Sequence, residues 1–333
     1  MRVAARAPGK LVILGEYAVL EGAPALVMAV GRYARARMEP SADGRCRVEA
    51  SFGTRLSAET APGEPTGIAL VDAVSAGSAA RPPAWHAVID SGDFFAEGIK
   101  LGLGSSAAAL CAFAGAWERY CRAHGAAVEP LSVERLIETH RALQGGSGSG
   151  IDVAAAYTGG VIRYALDAAR RPLIGSVRLP NSVGFAGIFA GSAASTPDLV
   201  SRFRAWEAAD KPAASRLKRM LGGIAAAGCQ AASAGDASAF LAAVSDYGKG
   251  LESLGRAMQA DIVTAEHRRI GRAARALGVV YKVSGAGGGD VGLALSQEPD
   301  DLTEFTARVA RMGFAVVDLT TDQQGLFVEE LSE

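Results

Sequence analysis

A chain of 333 residues with 49% hydrophobic and 21% charged side chains has the balance of a soluble globular protein and is long enough for two domains. Its formal net charge of -1 offers no general basic field of the kind that nucleic acid or an anionic membrane selects, so any recognition of anions has to be local. Cys46, Cys111, Cys121 and Cys229 are far apart and lack paired metal-ligand spacing. They fit reduced thiols of a cytoplasmic protein, not a disulfide framework or a zinc site. The apolar run LVIL at 11–14 is too short for a secretory core or a membrane span, and the RAPGK before it has no cleavage-site character.

In chain order, RVAARA at 2–7 and KLVILG at 10–15 predict short strands broken by Pro8-Gly9, and 23–40 continues as extended, alternating sequence. The small, polar and Pro-containing segments 53–66 and 75–83 read as surface loops. Apolar spacing predicts helices from Ser105 to about His124 and from Ser132 to about Leu143, the second ending in the glycine-rich turn QGGSGSG before Ile151-Asp152. Strands follow near 159–165 and 183–190. The Ala-rich segments 197–207, 211–234, 236–254 and 260–276 are helical, so a second, more helical half begins near 180.

Chemistry gathers in the glycine clusters. In GLGSSAAA at 102–109, glycines free the backbone to turn its N–H groups toward a ligand, and a helix start adds unpaired donors at the positive end of its dipole. An anion site is one reading; a serine N-cap on a core helix is the other. Near the C-terminal end, Ser284-Gly285-Ala286-Gly287-Gly288-Gly289-Asp290 lies between two strand-like runs. Each glycine there costs about 0.5–1 kcal/mol relative to alanine, more glycine than a β-turn needs, so something approaches that backbone closely.

With Ala7-Pro8-Gly9-Lys10 and Gly15-Glu16-Tyr17, these clusters resemble the three motifs of the GHMP kinase superfamily, in the right order and across nearly the whole chain. Within it the chain is most similar to the phosphomevalonate kinases: GEYAVLEG around Tyr17, Lys100 directly before the second motif, QGGSGSGIDVAAA, AASTPDLV at 193–200 and Asp290 after three glycines. Mevalonate kinases usually read GEH at the Gly15-Glu16-Tyr17 position, and diphosphomevalonate decarboxylases lack the APGK pattern.

The resemblance implies an α+β, two-domain GHMP kinase fold. Residues 1–180 would form a domain like ribosomal protein S5 domain 2, and 181–333 a helix-rich domain with a small antiparallel sheet that carries the third motif, with the site between them. It implies ATP held by Lys100, Gly102, Leu103, Gly104, Ser105, Ser106 and Ala107, with Ser106 touching Mg²⁺. Lys10 and Asp152 would be catalytic. A surface amine is the alternative for Lys10, and a helix N-cap after Gly150 the alternative for Asp152. The acceptor would lie among Glu16, Tyr17, Arg141, Ser147, Ser149, Ser195, Thr196, Ser284, Gly285, Ala286 and Gly287.

Many superfamily members bring a Glu to magnesium from the helix before the Asp. This chain has His140-Arg141 there, so His140 is expected to be structural and Arg141 to offer a guanidinium fork to a substrate phosphate. The implied acceptor is 5-phosphomevalonate, with mevalonate or another small molecule as the alternative acceptor. A nucleotide- or metabolite-binding protein without turnover is the alternative of another class. A cytoplasmic monomer or homodimer is expected.

Overall fold

Arg2 to Leu14 form one continuous strand, β1, in the computed structural model, which describes residues 1–76, 82–146, 148–191 and 196–331. A 3-10 turn at Ala18–Glu21 leads to β2 (Ala25–Pro40), β3 (Cys46–Ser51), β4 (Arg55–Thr60), α1 (Ala69–Ser75) and β5 (Trp85–Asp90). The two-residue strands β6 (Phe95–Ala96) and β7 (Ile99–Lys100) precede α2 (Ser105–Ala123), α3 (Val133–Leu143), α4 (Ile151–Thr158), β8 (Val161–Leu166) and β9 (Pro172–Val177). The chain continues through β10 (Gly184–Phe189), α5 (Thr196–Ala209), α6 (Lys211–Ala234), α7 (Ala237–Ala257), α8 (Ala265–Arg275), β11 (Val280–Val283), β12 (Val291–Ser296), α9 (Pro299–Arg311), β13 (Ala315–Val317) and β14 (Phe327–Leu331). This is the α+β organisation expected.

Pro8-Gly9 does not break β1. It shifts the register against β2 between Pro8 and Gly9, a use of Pro and Gly suited to a bulge. A Cβ on Gly9 would stand 2.6 Å from Phe94 Cε1 and 2.7 Å from the Leu103 carbonyl. Lys10 N–H reaches that carbonyl at 2.8 Å, so the strand and the loop before α2 are fastened together at this glycine.

The first sheet runs β14-β1-β2-β5-β3-β4, with β8 also on β2 and β9 on β8; the second runs β11-β12-β10-β13. Several strands escaped the sequence reading, among them β4, which falls in a segment read as a surface loop, and β9. These two are edge strands with largely exposed residues. With no face fully buried, RLSAET and PLIGSV carry loop-like composition instead of apolar alternation.

Helix α2 packs on β1 and β2 with its alanines from Ala107 to Ala116 buried, as the apolar part of a central helix must be. One continuous core includes residues from both sheets, among them Val27 and Leu293, together with Phe113 of α2. A smaller cluster with Ile188, Ile270 and Phe305 lies where α8 and α9 cover the second sheet. All four cysteines are buried free thiols. Among the described residues no helix is long and apolar enough to cross a membrane.

The chain leaves the first sheet after β9 and enters the second at β10. We propose a domain division at this change of sheet, at about residue 180, with one amendment: β14 returns to pair with β1 from Arg2↔Leu331 to Arg6↔Phe327, so the last strand belongs with the first 180 residues.

Candidate active site

The loop before α2 carries Gly102 and Gly104 at φ 74° and 83°, in the left-handed region that side chains other than glycine enter at a cost. Gly104 is the N-cap of α2, and no side chain caps the helix, so the serine-cap reading of GLGSS does not hold. Ser105 and Ser106 are instead the first two helical residues, and Ser106 is exposed. The first helical hydrogen bond is Ala108 N–H to the Gly104 carbonyl at 3.1 Å. The N–H groups of Ser105, Ser106 and Ala107 therefore have no intrahelical partner and stand as donors at a helix start, an arrangement that suits an anion. Leu103 and Ala107 bury their side chains and contribute backbone alone.

Lys10 crosses this loop from β1. Its Nζ donates to the Gly102 carbonyl at 3.1 Å, and a Cβ on Gly104 would lie 2.9 Å from its Cγ. Gly104 thus makes room for the lysine as well as for a ligand. Gly104→Val is expected to displace Lys10 and strain the loop together, weakening nucleotide binding by at least about tenfold, roughly 1.4 kcal/mol, in a protein that still folds. Calorimetric titration with ATP checks this; unchanged affinity would exclude the loop as the phosphate site. A Cβ on Gly102 would collide with the Asp290 carboxylate, which brings the third motif against the second.

Gly150, at φ 88°, caps α4, so Asp152 sits inside the first turn and is not the N-cap. Its Oδ1 accepts from Val153 N–H at 3.0 Å, and its Oδ2 lies 3.7 Å from His140 Nδ1. The other ring nitrogen of His140, Nε2, is 3.1 Å from Ser106 Oγ. Arg141 turns out differently from expectation. Its Nε donates to the Gly148 carbonyl at 3.1 Å and its Nη2 to the Ser149 carbonyl at 2.8 Å, where Tyr164 OH also donates at 2.7 Å. Chain spacing brings Arg141 to the site, but the bare carbonyls of the glycine-rich turn capture the fork, leaving it to hold the turn. Ser149 Oγ accepts from Ile151 N–H at 3.4 Å. Ser147 and Ser195 lie outside the described residues, as does the side chain of Thr196, which opens α5.

The third motif is tied to β1 and the turn after it. Ser284 Oγ accepts from Val12 N–H and donates to the Val12 carbonyl, both at 2.9 Å, so its hydroxyl acts as a strand partner and is spent. Glu16, fully buried, pairs with Lys282 and accepts from Gly285 N–H at 3.3 Å, while its other oxygen finds no partner. Burial pushes the Glu16 carboxyl above and the Lys282 ammonium below their usual ranges, with the attraction between them opposing both shifts. Tyr247 OH donates to the Glu16 carbonyl at 2.6 Å.

Tyr17, at φ 61°, donates its hydroxyl to the Ala286 carbonyl at 2.6 Å and rests its ring 5.2 Å from that of Phe203 on α5. Gly285 and Ala286 line the cavity; Gly287 packs on Ile262. His267 joins the Gly289 carbonyl and Tyr281 OH, each at 2.7 Å. Sequence reasoning missed Lys282 and Tyr247. The one available signal was a lone lysine in an otherwise apolar strand.

These elements enclose a cavity of about 560 Å³, with polar lining from Lys10, Lys100, Ser105, Ser106, Asp152 and Asp290 and apolar lining from Val19, Leu20, Pro197 and Val200. No group of three or more His, Cys, Asp or Glu that could cage a metal exists among the described residues. One hydroxyl and one carboxylate nonetheless fit a hard cation that takes most of its ligands from phosphates. Phosphate donors at a helix start, a lysine crossing them and a carboxylate opposite are the parts that phosphoryl transfer needs, because that chemistry depends on positioning and charge neutralisation.

The fold and site define a small-molecule kinase. More particularly, the chain belongs to the GHMP kinase family. The profile of the GHMP kinases N terminal domain matches residues 97–160. A mevalonate kinase of Aeropyrum pernix is 32% identical, the match covering 94% of this chain and 98% of that one. A phosphomevalonate kinase of a Streptomyces species is 29% identical, with coverages of 96% and 97%. Among solved structures, the phosphomevalonate kinase of Streptococcus pneumoniae in complex with phosphomevalonate and AMPPNP superposes with a TM-score of 0.78 at 22% identity, covering 96% of this chain and 99% of that one.

Proposed function

We propose that this chain transfers the γ-phosphoryl group of ATP to the phosphate of 5-phosphomevalonate, forming 5-diphosphomevalonate in the mevalonate pathway. The observation that carries the reading is the convergence of all three glycine motifs on Lys10: Gly102 and Gly104 lie beneath its side chain, a Cβ on Gly285 would stand 3.6 Å from its Nζ, and Asp290 packs against Gly102. Lys10 and Lys100 neutralise nucleotide phosphates, and the free N–H groups of Ser105, Ser106 and Ala107 orient them. Ser106 and Asp152 are the groups that would hold Mg²⁺, which when bound neutralises charge on the phosphates. Tyr17, Ser149, Gly285 and Ala286 frame the acceptor.

The acceptor identity rests on Tyr17. Its phenol is locked to Ala286 and Phe203 at the position where mevalonate kinases usually carry histidine. A phosphomonoester, with a second pKa of about 6, is already largely anionic at neutral pH and needs little help from a base. Two observations favour the second reading, mevalonate: Arg141 is committed to backbone carbonyls, and the relative at 32% identity is a mevalonate kinase.

Steady-state assays with each acceptor decide. Turnover of 5-phosphomevalonate with none of mevalonate is expected, and the reverse overturns the proposal. On 5-phosphomevalonate, Asp152→Asn is expected to reduce kcat by less than the ~10²–10⁴-fold that loss of an obligatory base brings, because the acceptor oxygen is already ionised. A loss at the top of that range would make Asp152 a base and count against a phosphate acceptor.

A further inference from the structure

We propose that His140 is a positioning residue for phosphoryl transfer, setting the Ser106 hydroxyl through one ring nitrogen and the Asp152 carboxylate through the other. The proposal rests on the kinase reading above. His140 lies in the last turn of α3 and is 2% exposed. Each of its ring nitrogens faces a side chain that lines the cavity: Ser106 in the first turn of α2 at 3.1 Å and Asp152 in the first turn of α4 at 3.7 Å. A rigid ring between two helix starts fixes their separation in a way that two independent contacts would not.

The chemistry of the two partners gives the ring a direction. An ionised carboxylate only accepts hydrogen bonds, so the nitrogen facing Asp152, Nδ1, carries the proton. Nε2 is then an acceptor, and Ser106 donates its hydroxyl proton to it. The Ser106 oxygen is left with its lone pairs toward the cavity, a disposition suited to a cation carried on nucleotide phosphates and unsuited to a bare phosphate oxygen. Asp152 Oδ1 accepts from Val153 N–H, and its Oδ2 faces the imidazole at 3.7 Å. The Gln144 amide nitrogen, one turn further along, approaches the same Nε2 at the longer distance of 3.5 Å.

Two conservative variants separate the two contacts. His140→Asn places an amide nitrogen where Nδ1 stands and keeps the Asp152 side; His140→Gln reaches to where Nε2 stands and keeps the Ser106 side. Groups that orient ligands in this way typically contribute 10–100-fold. His140→Asn is expected to weaken MgATP binding about tenfold in calorimetry, with metal-free ATP binding nearly unchanged. His140→Gln is expected to lose about tenfold in kcat, with a smaller loss of MgATP affinity than His140→Asn. Thermal melting of both variants is followed alongside.

If both variants lower Tm and shift every parameter equally, or if folded His140→Ala matches wild type in MgATP affinity and kcat, His140 is a structural histidine and the proposal falls. Wild-type protein that turns over no acceptor would defeat the kinase reading. The Mg²⁺-dependent difference between wild type and His140→Asn in nucleotide calorimetry would still support or refute the Ser106 contact.

Discussion

Lys10→Met is expected to lower kcat by about 10²–10³, the loss seen when one preorganised charge-stabilising group is removed, equivalent to roughly 3–4 kcal/mol, while ATP affinity changes far less. Methionine keeps the methylene stem that lies over Gly104, so the loop retains its packing and the variant isolates the charge. The Lys10 ammonium is anchored on the Gly102 carbonyl in the middle of the loop proposed to hold the nucleotide phosphates. Negative charge moves between oxygens as the phosphoryl group passes from donor to acceptor, and a fixed ammonium is worth more in that state than in the ground state. Steady-state kinetics with nucleotide calorimetry on the same preparation separate the two effects. A variant with near wild-type turnover would reduce Lys10 to a packing residue, and equal losses in kcat and affinity would make it a simple binding group.

Lys282→Met is expected to cost about 3–5 kcal/mol of folding stability, because it strands the Glu16 carboxylate in a fully buried position. Glu16 already has one oxygen without a partner, and burial alone pushes its carboxyl toward the neutral form. Removing the ammonium leaves only Gly285 N–H on the other oxygen. The double variant Glu16→Leu, Lys282→Met removes both charges and is expected to recover most of that loss, since apolar replacement of a whole buried pair is often neutral or stabilising. Urea denaturation of the two single variants and the double variant gives the coupling. A Lys282→Met protein within about 1 kcal/mol of wild type would show the pair to be no more consequential than a surface salt bridge.

How much of this was legible from sequence depended on how locally each feature is determined. The helix at Ser105 could be read from its alanines and the glycines before it, and the three motifs announced a phosphate site because their backbone requirements are written directly in glycine. Direction was less legible than proximity. Spacing brought Arg141 to the site, but the exposed carbonyls of Gly148 and Ser149 decided where its guanidinium points. Ser284 and Glu16 were assigned to a ligand, and both are largely consumed in fastening the third motif to β1 and the turn after it. Lys282 pairs across 266 residues, a relation no local pattern reveals. His140 gave no signal beyond standing where the family resemblance implies an acid.

The bonds from the third motif to Val12, Glu16 and Tyr17 join residues 266 to 272 positions apart in the chain. Closing loops of that length is entropically costly and slow, so the cavity belongs to the last contacts a folding chain makes, after the β1–β2 pairing that needs only neighbouring sequence. A nascent or refolding molecule can therefore hold much of its first sheet and remain unable to grip nucleotide. Nucleotide in turn binds only the finished form, and by mass action it adds its free energy to that final closure.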